Sequence, residues 1–166
     1  LFGYSDGEIK NLTLENAEIE GRRYTGGIVG YLDINGNISD CSVSGSVTGT
    51  CSVISAFTGG VAGYCAGEIN DCINEATVSA CAGVGNSYSA AGGIVGFCAG
   101  RISGCNNNST VKAFADTDYT YTVAGGIIGI LDSKYKINDC VNKGSVFSDV
   151  NQFHFYEKSE SGVYTY

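Results

Sequence analysis

A segment of two glycines, two aliphatic residues and a third glycine occurs four times in this chain at a constant spacing. The copies begin at Gly26, Gly59, Gly92 and Gly125, so each starts 33 residues after the one before. Two further blocks recur in phase, one with the pattern Ile-x-x-Cys and one centred on a valine. A constant period of this length is typical of repeat proteins, in which each repeat packs on its neighbours.

The residue types inside each repeat favour β-strands over helices. Ile, Val, Thr, Tyr and Ser predominate, and apolar and polar residues alternate over 42–48. The 25 glycines would destabilise helices by about 1 kcal/mol each relative to alanine. We therefore expect an all-β fold, a parallel β-solenoid of about five rungs with three short strands per repeat. A β-propeller is the main competitor, but its blades need about 40 residues.

The 166 residues suit a single domain. We expect one solenoid over 1–166, with a partial repeat at 1–25, repeats at 26–58, 59–91 and 92–124, and a last repeat at 125–166 that includes a C-terminal cap or partial rung. His154 lies in an alternating stretch of this last repeat and is expected in a terminal strand or cap. Because the chain begins at Leu1 and not at Met, we expect it to be part of a larger polypeptide.

The net negative charge of the chain limits the kinds of partner it can bind. Seventeen acidic and nine basic residues give a formal net charge of −8, which disfavours nucleic acid and anionic membrane surfaces. No apolar run approaches the length of a membrane span. We therefore expect no nucleic-acid partner and no membrane insertion.

Stacking of repeats would place equivalent residues in columns along the solenoid axis, and two columns contain cysteine. One holds Cys41, Cys72, Cys105 and Cys140, with Leu12 at its start; the other holds Cys65 and Cys98, flanked by Leu32 and Leu131. Since leucine shares both columns, we expect these cysteines to be buried, reduced and structural. Disulfide bonds along a column are the alternative. Cys51 and Cys81 lie outside the columns and are the better candidates for reactivity or pairing, with their redox state left open.

The repeated glycines are expected to be structural as well. A glycine allows close approach of neighbouring strands or a backbone conformation that Cβ would forbid. No helix start follows the glycine pairs, so they do not resemble phosphate-binding loops. The structural set comprises Gly27, Gly30, Gly60, Gly63, Gly93, Gly96, Gly126 and Gly129.

No catalytic constellation stands out, and we predict no enzyme activity, no cofactor and no metal site. Asp40, Asp71 and Asp139 share a column, which in a β-helix could bind calcium or cleave a polysaccharide. Asn11 and Gly104 occupy the same column in the other repeats, and both are good turn residues and poor acids. We therefore favour a turn role for the three aspartates.

Tyrosines precede several of the glycine pairs. Tyr88, Tyr119 and Tyr121 lie in segments expected to pack as a cover over the glycine-containing strand. Tyrosine beside Ser and Thr is also the chemistry of a recognition surface, because rings stack on sugars and hydroxyls form hydrogen bonds. These three residues are the binding candidates.

The repeat resembles the GLUG motif. The resemblance rests on 27–30, 60–63, 93–96 and 126–129, each followed by an aromatic or aliphatic residue, a turn and the Ile-x-x-Cys and valine blocks, and it extends to about Val146. GLUG repeats occur in bacterial surface and adhesin-like proteins and in non-catalytic regions of secreted immunoglobulin A peptidases. The cysteine columns depart from the usual pattern.

The resemblance implies a non-enzymatic structural or adhesin-like repeat module, extracellular or on the bacterial cell surface. Its partner would be a host or bacterial surface glycan or a protein. The alternatives are a carbohydrate-binding or carbohydrate-cleaving β-helix, and a spacer region of a secreted peptidase.

Overall fold

A computed structural model describes residues 1–51, 55–83, 87–115, 120–150, 157–158 and 164–165, and the regular elements among them are all β-strands. In chain order the strands are β1 (Phe2–Ser5), β2 (Glu8–Lys10), β3 (Thr13–Gly21), β4 (Tyr24–Gly26), β5 (Val29–Leu32), β6 (Asn37–Ser39), β7 (Ser42–Cys51), β8 (Ala56–Gly59), β9 (Ala62–Cys65), β10 (Glu68–Asn70), β11 (Ile73–Ala82), β12 (Tyr88–Gly92), β13 (Val95–Cys98), β14 (Arg101–Ser103), β15 (Asn106–Asn107), β16 (Val111–Ala115), β17 (Tyr121–Gly125), β18 (Ile128–Leu131), β19 (Ile137–Asn138), β20 (Val141–Asn142), β21 (Val146–Val150), β22 (Glu157–Lys158) and β23 (Tyr164–Thr165).

The strands form four parallel sheets that run along one axis. Sheet A has the order β1-β5-β9-β13-β18, and sheet B has the order β2-β6-β10-β14-β19. Sheet C is built on β3, β7 and β11, and its later layers are split into β15 with β16 and β20 with β21; sheet D has the order β4-β8-β12-β17. Each strand pairs with its equivalent in the next repeat, as in the register Val29↔Ala62↔Val95↔Ile128. β22 and β23 form a separate antiparallel pair.

The predicted all-β parallel solenoid is confirmed, with about four turns where about five rungs were expected. Sheets A and B each contain five strands, whereas sheet D contains four. Leu1–Ser5 enters directly into sheet A, so the first layer has no strand in sheet D. The first layer is therefore only part of a turn.

The prediction of three strands per repeat was wrong, because the segments expected to form a loose cover are strands of sheet D. β8, β12 and β17 pair in register through Ala56↔Ser89 and Tyr88↔Tyr121. Their inner residues are small: Ala91 and Ala124 pack against Val78 and Ala113 of sheet C. Small side chains on both sides allow these two sheets to lie close together.

The main core fills the space inside sheets A, B and the first half of sheet C. Its layers repeat the same side chains: Ile38, Ile69 and Ile102 form one column and are fully buried or nearly so. Burying an isoleucine stabilises the folded state by about 1.5–3 kcal/mol. Since each layer covers the one beneath it, apolar side chains are removed from water by their own equivalents in neighbouring turns.

Glycines set how closely the sheets approach. A Cβ at Gly60, Gly93 or Gly126 would overlap the side chain of an asparagine in sheet C, at Asn74, Asn107 or Asn142 respectively. A Cβ at Gly63 or Gly96 would overlap the backbone of sheet D at Thr25 or Thr58. The repeated glycines thus lie where sheet A, or the bend that leads into it from sheet D, has no room for a side chain.

We expect Gly63→Ala to lower the free energy of unfolding by about 2–3 kcal/mol, because its Cβ would meet backbone atoms of Thr25 and Tyr24 that no rotamer change can move. Urea unfolding measures the change. Gly3→Ala is the matched control, since Gly3 occupies the same column in the first layer and has no heavy atom within 4 Å of the added Cβ. Equal destabilisation by the two substitutions would contradict this packing.

Candidate functional site: the side-chain columns

The first cysteine column lies at the corner between sheets B and C. Cys41, Cys72 and Cys105 are at most 2% exposed, and Cys140 in the last layer is half-buried. Each thiol donates a hydrogen bond to the carbonyl two residues earlier, with S···O distances of 3.0, 3.2, 3.3 and 3.2 Å along the column. The corner therefore uses cysteine both as a small apolar side chain and as a weak donor.

The second cysteine column lies in sheet A. Cys65 and Cys98 pair in register, with Leu32 in the preceding layer and Leu131 in the following one. Both cysteines are fully buried. Their thiols lie near the carbonyls of Gly67 and Gly100, at 3.5 and 3.6 Å. These sulfurs are thus enclosed within the main core.

No disulfide bond joins any of the eight cysteines, all of which lie among the described residues. Outside the columns, Cys51 is buried against Ala56 and Ala82. Cys81 is partly exposed in β11 and lies in register with Phe114 of β16.

Contacts between the thiols shift their pKa values in opposite directions. Hydrogen bonding with Cys140 and Cys72, together with burial, raises the pKa of Cys105. Hydrogen bonding with Cys105 lowers the pKa of Cys140 to about 7, against the effects of its partial burial and of the nearby Asp139 carboxylate. Hydrogen bonding with Cys98 and burial raise the pKa of Cys65. Cys140 is therefore the thiol of the columns that is both ionisable near neutral pH and open to solvent.

An asparagine column that sequence reasoning missed runs beside the glycines in the bends between sheets D and A. Asn74 Nδ2 donates to Asn107 Oδ1, and Asn107 Nδ2 donates to Asn142 Oδ1, both at 2.8 Å. Each amide also donates to the carbonyl two residues later, at Ala76, Ser109 or Gly144. These bonds satisfy the buried amides of Asn74 and Asn107, which are fully buried.

The aspartate column occupies the turn that leads into the first cysteine column. Its members share a left-handed backbone: φ is 55° at Asn11, 53° at Asp40, 52° at Asp71, 65° at Gly104 and 53° at Asp139. Asn, Asp and Gly are the residues that adopt this conformation at least cost. The left-handed conformation accounts for the Asn, Asp or Gly found at all five positions of this column.

Two groups of aromatic rings lie on the outside of the solenoid. Tyr88 and Tyr121 stack in sheet D with ring centroids 5.2 Å apart, and both are more than 40% exposed. Tyr119, the third binding candidate, lies outside the described residues. The second group is a row of parallel, stacked rings in sheet A, at Tyr4, Tyr31, Tyr64 and Phe97. The sequence indicated these residues only as an aromatic after each glycine segment.

The described residues contain no group of three or more His, Cys, Asp or Glu side chains placed to hold a metal ion. A search of the same residues finds no helix long and apolar enough to span a membrane. His154 lies outside the described residues.

The in-register stacking of four parallel sheets defines the class of this molecule as a β-solenoid repeat protein. Residues 21–48, which run from the end of β3 in sheet C through sheets D, A and B and back into sheet C, match the family described as the GLUG motif. Residues 21–48 therefore carry a GLUG motif, and the resemblance predicted from the sequence is confirmed for this repeat. Neither a curated protein nor a solved structure matches the chain.

We expect Gly104→Ala to lower the free energy of unfolding by about 1–2 kcal/mol, because alanine is strained at φ 65°. Its Cβ would also overlap the Asp71 carboxylate. Asp71→Gly, the reciprocal change in the same column, should shift stability by less than about 1 kcal/mol, since glycine accepts this φ. Chemical denaturation of both variants checks the expectation, and a larger loss from Asp71→Gly would show that the carboxylate itself stabilises the corner.

We expect iodoacetamide to modify Cys140 with a rate that reaches half its maximum near pH 7, because the thiolate is the reactive form. Cys105, directly beneath it and fully buried, should remain unmodified in the folded protein. Peptide mass spectrometry over a pH series locates the label. A half-maximal rate above pH 8.5 would show that the Cys105 hydrogen bond does not stabilise the thiolate.

Proposed function

We propose that this protein is a non-enzymatic structural repeat module of a larger bacterial cell-surface or secreted protein. The GLUG motif supports a repeat module of a larger protein. We further propose an adhesin-like role, in which the solenoid presents surface side chains to a glycan or a protein.

The proposal depends on one observation: the aspartate and asparagine columns both have structural roles. The corner aspartates have a backbone conformation that explains their presence, and the buried asparagines bond to one another. The stacked layers fill the interior with isoleucine, valine and cysteine. Such a molecule is suited to hold its outer surface at a fixed spacing, because each layer fixes the position of the next.

The Tyr88–Tyr121 pair is the better binding surface of the two aromatic groups. In the sheet A row, Tyr31 and Tyr64 stack at 4.6 Å with an interplanar angle of 4°, so their ring faces cover each other. Tyr24 and Phe57 of sheet D further pack against that row. Tyr88 and Tyr121 keep 43% and 48% of their surface exposed, and the rings and hydroxyls could contact a sugar or a peptide.

We expect Tyr88→Ala and Tyr121→Ala each to weaken binding to a responsive glycan at least tenfold, because each removes half of the stacked pair. A glycan array identifies the ligand, and titration calorimetry measures the variants. Phe147→Ala is the matched control, since Phe147 is an equally exposed aromatic (53%) on sheet C.

Three outcomes would contradict the proposal in different ways. Loss of binding in Phe147→Ala alone would move the site to sheet C. An array without any binding would overturn the glycan-presenting role and leave a protein ligand or a spacer. Turnover of a polysaccharide that disappears in Asp71→Gly would overturn the non-enzymatic assignment, because this variant keeps the turn and removes only the carboxylate.

A further inference from the structure

The corner cysteine column places sulfur atoms in line along the solenoid axis. Its four thiols make the same hydrogen bond, to the carbonyl two residues earlier, at 3.0–3.3 Å. They therefore share one orientation, and successive sulfurs are related by the step between layers, about 4.8 Å in a β-sheet. The sulfurs form a straight row inside a rigid scaffold.

This spacing is unsuited to a disulfide and suited to an ion between two sulfurs. A disulfide needs the sulfurs about 2.05 Å apart, so neighbouring layers would have to approach each other against the β-ladder. On the scale of the zinc–thiolate bond, about 2.3 Å, an ion midway between two sulfurs spans about 4.6 Å. The layers would need almost no movement to accept such an ion.

We propose that Cys105 and Cys140 form a linear two-sulfur site for a monovalent thiophilic cation of the Cu⁺ class. Soft thiolate ligands select Cu⁺, whereas Zn²⁺ prefers four ligands, and the described residues offer no cluster of three. Binding releases one proton from each thiol, forms two sulfur–metal bonds and transfers no electrons. The site changes from neutral to a net charge of −1.

Solvent access distinguishes the Cys105–Cys140 pair from the Cys65–Cys98 pair. Cys140 is half-buried in the last layer of the column, so an ion can reach its sulfur from solvent and bind between it and the buried Cys105. Cys65 and Cys98 have the same in-register arrangement, but both are fully buried and lie between Leu32 and Leu131. We therefore expect loading at Cys105–Cys140 and not at Cys65–Cys98.

The backbone around the column favours a charged sulfur. The N–H of Cys72 points at the Sγ of Cys105, 3.4 Å away, and can stabilise negative charge on it. The chain as a whole carries a formal net charge of −8, which attracts cations.

The test is an anaerobic titration of the reduced protein with Cu⁺ in competition with a chromophoric Cu⁺ chelator. We expect one tightly bound ion per chain and an X-ray absorption spectrum with two sulfur neighbours. Cys140→Leu should weaken binding at least 100-fold. Leucine is the appropriate replacement, because Leu12 occupies the same column in the first layer.

Cys98→Leu is the matched control, since it removes a cysteine from the enclosed pair and leucine flanks that pair on both sides. It should bind Cu⁺ as the parent protein does, and circular dichroism should show an unchanged fold in both variants. Unchanged affinity in Cys140→Leu, equal loss in Cys98→Leu, or nitrogen and oxygen ligands in the absorption spectrum would each overturn the proposal.

Discussion

Parallel hydrogen bonding between equivalent strands, one turn apart and in register, is the constraint on which this structure depends. It fixes Val29, Ala62, Val95 and Ile128 in one line and does the same for the other positions that pair between equivalent strands. A residue is therefore surrounded by its own equivalents above and below. Side chains persist in such a column only if they pack or bond with copies of themselves, which is why the columns contain isoleucine, asparagine, cysteine and stacked aromatic rings.

The asparagine column and the repeated glycines depend on each other. The Asn74 amide is fully buried, and its bonds to Asn107 and Ala76 offset the cost of removing it from water. The amide occupies the space that a side chain at Gly60 would need. The glycine thus permits the buried hydrogen-bonded column, and the column fills the gap that the glycine leaves. In the second layer the equivalent residue is Val43, which packs against Gly27 in the same way without hydrogen bonds along the axis.

The 33-residue period, the parallel solenoid and the alignment of the cysteines could be predicted from the sequence, because they depend only on residue identity at a constant spacing. Sheet D was missed because its strands consist of short runs of Ala, Ser, Thr and Tyr, whose alternation is weak, and because Ala90 and Val123 replace the aromatics of Tyr24 and Phe57. The asparagine column was missed for a different reason. Asparagine two residues after a cysteine resembles a turn residue, and only coordinates show that the amides face one another across layers.

The choice of cysteine at the corner follows from size and hydrogen bonding together. The carbonyls of Ser39, Asn70, Ser103 and Asn138 point toward the corner, and a thiol can donate to them while remaining apolar enough to be buried. Leu12 fills the same space in the first layer but has no donor. A corner stabilised in this way places sulfurs in a line at the layer step as a consequence of the fold. The proposed soft-cation site at Cys105 and Cys140 therefore uses only residues that already stabilise the solenoid.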